Sequence, residues 1–304
     1  MFPELNVRRL AVCLAMGLLP FVMGCRAPEP AASPESGQAD TAAGLRDALL
    51  FHAGFDNGSD AGFATGDARL YTAPSYKELD KAAPGIGNPD VEIAADAGIF
   101  QHALKFNKKN QHAIYYRAEK NLAYSGSGWN GTFSFWLSLD PASDLAPGFC
   151  DPLQITDAAY NDGAVWVDFT PENPRQFRLG VFGDLNVWNP DNIPQDKNPA
   201  FANRVVVVDP PPFSRGKWTH VVVTHEGLGS AQGGTVRLYL DGRLQGAKTG
   251  IPEPFTLDVT KASIRLGVNY VGLFDELAIF NRPLLEAEIQ ALAQLKRGVI
   301  DLRP

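Results

Sequence analysis

Beyond residue 45 the chain alternates apolar and polar positions with the period of β-strands. In residues 132–139, Phe133, Phe135, Leu137 and Leu139 fall on one face, the spacing of a strand with one buried side. Residues 164–169 repeat the pattern, with Val165, Val167 and Phe169 on one side and Trp166 and Asp168 on the other. Further strands are expected at 49–55, 103–106, 113–116, 177–182, 218–225, 236–240, 243–245, 263–267 and 273–280. Asp241-Gly242 between two alternating runs predicts a two-residue hairpin, because such a turn needs positive φ and Gly adopts it without steric cost. One helix is expected over 284–295, where Leu285, Ile289, Leu292 and Leu295 make a single apolar stripe. Residues 73–96 and 184–204 have no strand pattern and predict long loops, which in compact domains are usually functional or disordered. The resulting fold class is all-β: a two-sheet antiparallel sandwich with one short C-terminal helix.

The N-terminus departs from this pattern. Arg8 and Arg9 precede an apolar run from Leu10 to Met23, then Gly24 and Cys25. A basic start, an apolar stretch of about 7–15 residues and a small residue at the cut describe a secretory signal. The run is shorter than the ~20 residues a membrane span needs. Val22-Met23-Gly24-Cys25 resembles a lipobox, which makes Cys25 the expected lipidation site. Residues 26–44, rich in Ala, Pro, Glu, Ser and Gly, offer little to bury and predict a flexible tether. The expected organisation is a signal segment at 1–24, a lipidated Cys and tether at 25–44, and one domain at 45–304. The location that follows is an exported protein, lipid-anchored to a bacterial-type membrane in the cell envelope.

Composition adds three constraints. The formal net charge of -7, with basic residues scattered, excludes the concentrated cationic surface that nucleic acid requires. The 29 Gly and 23 Pro agree with a turn-rich sandwich. Of the three Cys, Cys13 lies in the signal and Cys25 at its end, so Cys150 has no disulfide partner after processing and is expected as a small buried apolar residue.

Three blocks in order carry a family resemblance. Gly131-Thr132-Phe133-Ser134-Phe135-Trp136-Leu137 comes first. Residues 216–224, beginning Gly216-Lys217-Trp218-Thr219-His220, then lead to Leu238-Tyr239-Leu240-Asp241-Gly242. The third is Asp275-Glu276-Leu277-Ala278-Ile279-Phe280-Asn281-Arg282-Pro283-Leu284. Together they resemble the laminin-G-like, concanavalin A-like lectin-glucanase jelly roll. The resemblance implies that the first and last long strands lie side by side. It also implies a structural Ca²⁺ near them, held by Asp275 with Asp56 and backbone carbonyls, since Ca²⁺ takes about 6–8 oxygens.

For the rest of the chemistry the residues point to binding. Sugars stack on flat aromatic faces while carboxylates and amides read their hydroxyls, so Trp166 and Trp188, with Asp168 and Asn189, are the candidate ligand-binding residues. Trp129 is a further aromatic of this kind. Hydrolysis would need two carboxylates flanking the scissile bond. The close acidic cluster of laminarinase-type enzymes of this fold is absent, and Asp168 with Glu172 is interrupted by Pro171. The expected function is a surface-anchored, non-catalytic binding or scaffolding domain for a polysaccharide or a surface protein. A glycoside hydrolase or polysaccharide lyase of the same fold is the alternative.

Overall fold

The computed structural model describes residues 34–303, with side chains from residue 40. The expected signal segment and Cys25 lie outside the described residues. In chain order the elements begin with α1 (Pro34–Ala48), β1 (Leu49–Ala53), β2 (Phe63–Ala64), β3 (Tyr71–Ala73), β4 (Ala83–Pro84), β5 (Val91–Ala94), β6 (Ala103–Phe106) and β7 (Ala113–Arg117). The middle of the chain forms β8 (Trp129–Ser138), β9 (Cys150–Thr156), β10 (Ala164–Phe169), β11 (Phe177–Phe182), α2 (Leu185–Trp188), α3 (Pro199–Ala202) and β12 (Val205–Val208). The last third forms β13 (Thr219–Leu228), β14 (Gly234–Leu240), β15 (Arg243–Ile251), β16 (Ser263–Val268), β17 (Gly272–Phe280) and α4 (Glu286–Leu292).

Two antiparallel sheets result. Sheet A runs β15-β14-β13-β8-β17-β1-β2, with β6 also on β17 and β5 on β6. Sheet B runs β12-β11-β10-β9-β16-β7-β3-β4. Their inner faces bury Phe133, Phe135, Leu137 and Leu139 from sheet A against Val165, Val167, Phe169 and Leu179 from sheet B. The strands adjoining the polar turn at 107–112 do not pair with each other; β6 joins sheet A and β7 joins sheet B. At the expected hairpin Asp241 has φ +48° and Gly242 φ +74°, so both central residues adopt the left-handed region a primed turn requires. As the resemblance implies, β1 pairs with β17.

The outer face of sheet A is covered by the chain ends. Leu45 and Ala48 of α1, Ile289 and Leu292 of α4, and Val299 and Leu302 of the C-terminal 3₁₀ turn pack on Val222, Tyr239, Ala278 and Phe280. Residues 34–44, expected as a tether, belong to α1, and Leu45 contributes the first of the buried apolar side chains. The C-terminal helix is shorter than the 284–295 stripe, spanning Glu286–Leu292. Leu285 stands at its N-cap and is 69% exposed, so it is not part of the stripe. Arg282 fixes this cover by pairing with Glu288 at 2.6 and 2.7 Å and by donating to the Gly44 carbonyl.

The outer face of sheet B is covered by the two long loops. Residues 184–204 fold into α2 and α3, whose Trp188 and Phe201 pack on Phe182. Residues 73–96 place Tyr76 and Leu79 on Tyr71 and Tyr115. Between the two covers sheet B stays open.

Candidate functional site

That opening is a cavity of ≈ 280 Å³ over β9, β10 and β11 and the end of β16. Trp166 and Asp168 line it with Phe149, Asp151, Gln154, Tyr160, Arg178, Gln195, Val268 and Asn269. Trp166, Asp168 and Arg178 arrive there by simple alternation, opposite core neighbours on their strands.

Asp151 arrives by a different route. Val167 pairs with Leu153 and Phe169 with Cys150, so β9 carries one extra residue against Asp168. A bulge of this kind resets which side each residue faces. It turns Cys150 into the core and leaves Asp151 lining the cavity beside Asp168. Pro152 sits in the bulge, where a missing N–H costs the ladder least. Burial pushes the Cys150 thiol up to about 11, so it behaves as the inert core residue expected.

The polar groups form a hydrogen-bonded set. Arg178 binds Asp168 through two parallel bonds, Nε to Oδ1 at 2.8 Å and Nη2 to Oδ2 at 2.5 Å. Gln154 donates to Asp151 Oδ2 at 2.8 Å and accepts from Arg265 at 2.8 Å. Burial and the neighbouring Asp168 carboxylate drive the Asp151 carboxyl well above the usual range. Burial also raises Asp168, but Arg178 pulls it back, so Asp151 is the carboxyl held further above its ordinary range.

The four ligand-binding candidates divide into two pairs. Trp166 and Asp168 line the cavity. Trp166 is 2% exposed and forms a floor: its ring lies across Gly180, stacks on Phe182 at 5.8 Å and donates its N–H to the Tyr160 carbonyl. A Cβ on Gly180 would come within 2.1 Å of that ring, so only Gly lets it lie flat. Trp188 and Asn189 do not line the cavity. Trp188 packs in the loop's apolar cluster and donates to the Asn161 carbonyl, while Asn189 closes its own loop on the backbone of Ile193. Trp129 is buried in the core against Phe133, His225 and Phe255.

Asp56 and Asp275 meet at the other sheet. Asp275 accepts from the Ile99 N–H at 2.9 Å and the Glu276 N–H at 2.7 Å, and Asp56 accepts from the His102 N–H at 3.0 Å. Burial, then the charges of Glu276 and Asp56, raise Asp275 to about 8. This concentration of negative charge would suit a cation. Among the described residues no group of three or more His, Cys, Asp or Glu could hold a metal ion, so backbone carbonyls and water would have to complete a shell. Glu276 is engaged elsewhere, with His52 at 3.0 Å and with the Val299 N–H at 2.7 Å.

A family model described as the concanavalin A-like lectin/glucanases superfamily matches residues 115–290, more than half of the chain. The chain belongs to this superfamily. Among solved structures, the ligand binding domain of botulinum neurotoxin serotype D in complex with N-acetylneuraminic acid is similar at a TM-score of 0.54 and 11% identity, over 84% of this chain and 52% of that one. The binding domain of botulinum neurotoxin DC in complex with rat synaptotagmin II gives a TM-score of 0.50 and 13% identity, over 82% and 52%. Domain 4 of an extracellular arabinanase from Geobacillus stearothermophilus, in complex with arabinotriose, gives 0.49 and 20%, over 81% and 98%. The chain spans about half the length of the neurotoxin chains. No curated protein matches the sequence.

Within the superfamily fold, the cavity residues that sequence reading missed include Asp151, Gln154, Tyr160 and Arg178. Arg178 carried a usable signal, since it alternates with Phe177 and Leu179. The strand holding Asp151 and Gln154 was hidden, because Pro152 breaks its pattern.

Proposed function

We propose that this protein is a non-catalytic binding domain that takes a carbohydrate in the sheet B cavity. The observation that carries the reading is the combination of walls and readers in one place. Tyr160 and the half-buried Phe149 supply aromatic surface above the buried Trp166, and Asp151, Gln154 and Asn269 supply hydrogen-bonding groups. The serotype D neurotoxin domain was captured with a sugar on a related fold. A protein ligand is the second reading, and the DC neurotoxin domain was captured with a protein.

The carboxylate pair bears on hydrolysis. Asp151 suits a proton donor, yet the partner's role needs a free carboxylate, and both Asp168 oxygens are bound to Arg178. This favours binding. A glycan array probed with the protein, with Tyr160→Ala as control, tests the reading: loss of signal in the variant is expected, and an array without any hit defeats it. Release of reducing ends from a bound polysaccharide would restore the hydrolase alternative.

The proposal extends to location and metal. Export and lipid anchoring through Cys25 are supported by the basic, apolar and small-residue order of the first 25 residues. Cys25→Ser is expected to move the protein from the membrane fraction to the soluble one. A structural Ca²⁺ at Asp275 and Asp56 is supported by the crowding of buried carboxylates there. Binding to the folded state alone would stabilise it by about 2.7 kcal/mol at a hundredfold excess over Kd. Identical melting with Ca²⁺ and with chelator would remove the ion from the proposal.

A further inference from the structure

The strand register aligns one row of outward residues across sheet B. Tyr71 pairs with Tyr115, Tyr115 with Arg265, Arg265 with Gln154, Gln154 with Trp166, and Trp166 with Gly180. At about 4.8 Å per strand, such a row could seat several sugar rings of an extended chain. It is blocked on both sides of the cavity. On one side the Arg265 guanidinium lies 4.7 Å from the Tyr76 ring, and Tyr76 packs with the Tyr71 and Tyr115 cluster. On the other side Trp188 and Phe201 lie on Phe182 beyond the Trp166 floor. The stretch between these dams is the cavity, and its ≈ 280 Å³ lies at the small end of ligand pockets, which run about 300–1,000 Å³.

The charges within that stretch are already matched. Arg178 is committed to Asp168, while Arg265 is held by neutral acceptors, Gln154, Ser263 and the Ala158 carbonyl, and does not line the cavity. Arg178 therefore offers no unpaired charge to a sugar carboxylate or sulfate. The groups left over are neutral readers. The second oxygen of Asp151 and the hydroxyl of Tyr160 have no hydrogen-bond partner among the described residues, and Tyr160 is 43% exposed at the rim. The raised Asp151 carboxyl can donate to a hydroxyl without bringing a charge.

We infer that the cavity takes the end of a glycan, a single terminal neutral sugar unit read by Asp151 and Tyr160, and not the interior of a chain. This rests on the carbohydrate-binding reading and sharpens it. The dams at Tyr76 and at Trp188 leave no path for a polymer to continue across the strands in either direction. An acidic sugar would enter a cavity whose lining cation, Arg178, is already paired with Asp168.

The test is calorimetric titration of the protein with neutral β-glucan, mannan, galactan and arabinan oligosaccharides of two to six units, with oligogalacturonates alongside. End recognition predicts one protein per chain and a Kd that changes less than about threefold from dimer to hexamer. Tyr160→Ala and Asp151→Ala should each weaken binding about tenfold or more, with unchanged circular dichroism. Asp151→Asn, which keeps a neutral donor, should retain most of the affinity. A Kd that tightens tenfold or more with chain length, or stronger binding of oligogalacturonates, overturns the inference while leaving a carbohydrate-binding protein. Unchanged binding in both alanine variants places the site elsewhere and overturns it too. Absence of binding by every oligosaccharide would defeat the carbohydrate reading itself.

Discussion

The two outer faces of the sandwich are covered in opposite ways. Sheet A is sealed by chain ends, with an apolar cluster running from Leu45 to Leu302 beneath α1, α4 and the 3₁₀ turn. Sheet B is covered by internal loops that stop short of each other and leave a cavity lined by aromatic and polar side chains. The ion pairs follow the same division. Arg282 and Glu288 on sheet A clamp the cover, with Arg282 36% exposed, whereas Arg178 and Asp168 on sheet B stand inside the cavity at 12% and 5%. An apolar seal stabilises the fold and leaves nothing for a ligand to read. A gap bordered by polar groups with bonding capacity to spare is what recognition needs, which is why the proposed binding site lies on sheet B.

Removing the seal should have the largest effect. A chain ending at Asn281 loses α4, the 3₁₀ turn and the Arg282–Glu288 clamp, and it exposes Val222, Tyr239 and Phe280. It also loses Arg303 donating to His52 and Val299 donating to Glu276. The expected outcome is loss of cooperative thermal unfolding. A sharp transition near that of the full protein would show that the seal is dispensable.

Breaking the ion pairs one at a time sharpens the comparison. Arg178→Ala strands the buried Asp168 carboxylate, a change that typically costs about 3–5 kcal/mol. Arg282→Ala removes a more exposed pair and should cost about 1 kcal/mol or less through its charge. Urea midpoints at pH 7 measure both, and equal losses would contradict the difference in burial.

Acid should act on the buried histidines of sheet A and on Asp151 of sheet B with opposite sign. Desolvation lowers His220 to about 4 and His225 to about 3, and each has one ring nitrogen without a partner, Nδ1 and Nε2 respectively. Below the ordinary histidine value near 6.5 the unfolded chain takes up protons that these buried rings refuse. Stability therefore falls as the pH drops from about 6.5 towards 4, by ~2 kcal/mol per histidine at pH 5. The raised Asp151 works the other way, since its folded form holds a proton that the unfolded chain releases above about 4. Lowering the pH relieves that penalty. Asp151→Asn should accordingly lose stability more steeply between pH 7 and 5 than the parent, as read from urea midpoints. A shallower loss would reverse the assignment of the proton.

The smallest expected change in stability is at the rim. Tyr160→Ala should alter it by less than about 0.5 kcal/mol, because the side chain is 43% exposed, while weakening the proposed carbohydrate binding about tenfold or more. Melting and titration on one sample separate the two effects.

Local periodicity was enough for the all-β class, for the Asp241-Gly242 hairpin and for the inner faces of β8 and β10. Each depends on residues one or two positions apart. The same alternation placed Trp166 and Asp168 opposite the core, where they line the cavity. It could not show that Trp166 lies flat as a floor, because that depends on Gly180 of the next strand. Nor could it place Asp151 beside Asp168, which needs the β9 bulge to reset the alternation. Leu285 matched a helical stripe in one dimension and emerged exposed because the helix starts one residue later. Strand order, register and the loops that dam sheet B are long-range choices, made by which apolar faces can be buried together. The sequence by itself determined which side of each regular strand faces inward. Only the tertiary structure decided which outward residues became neighbours.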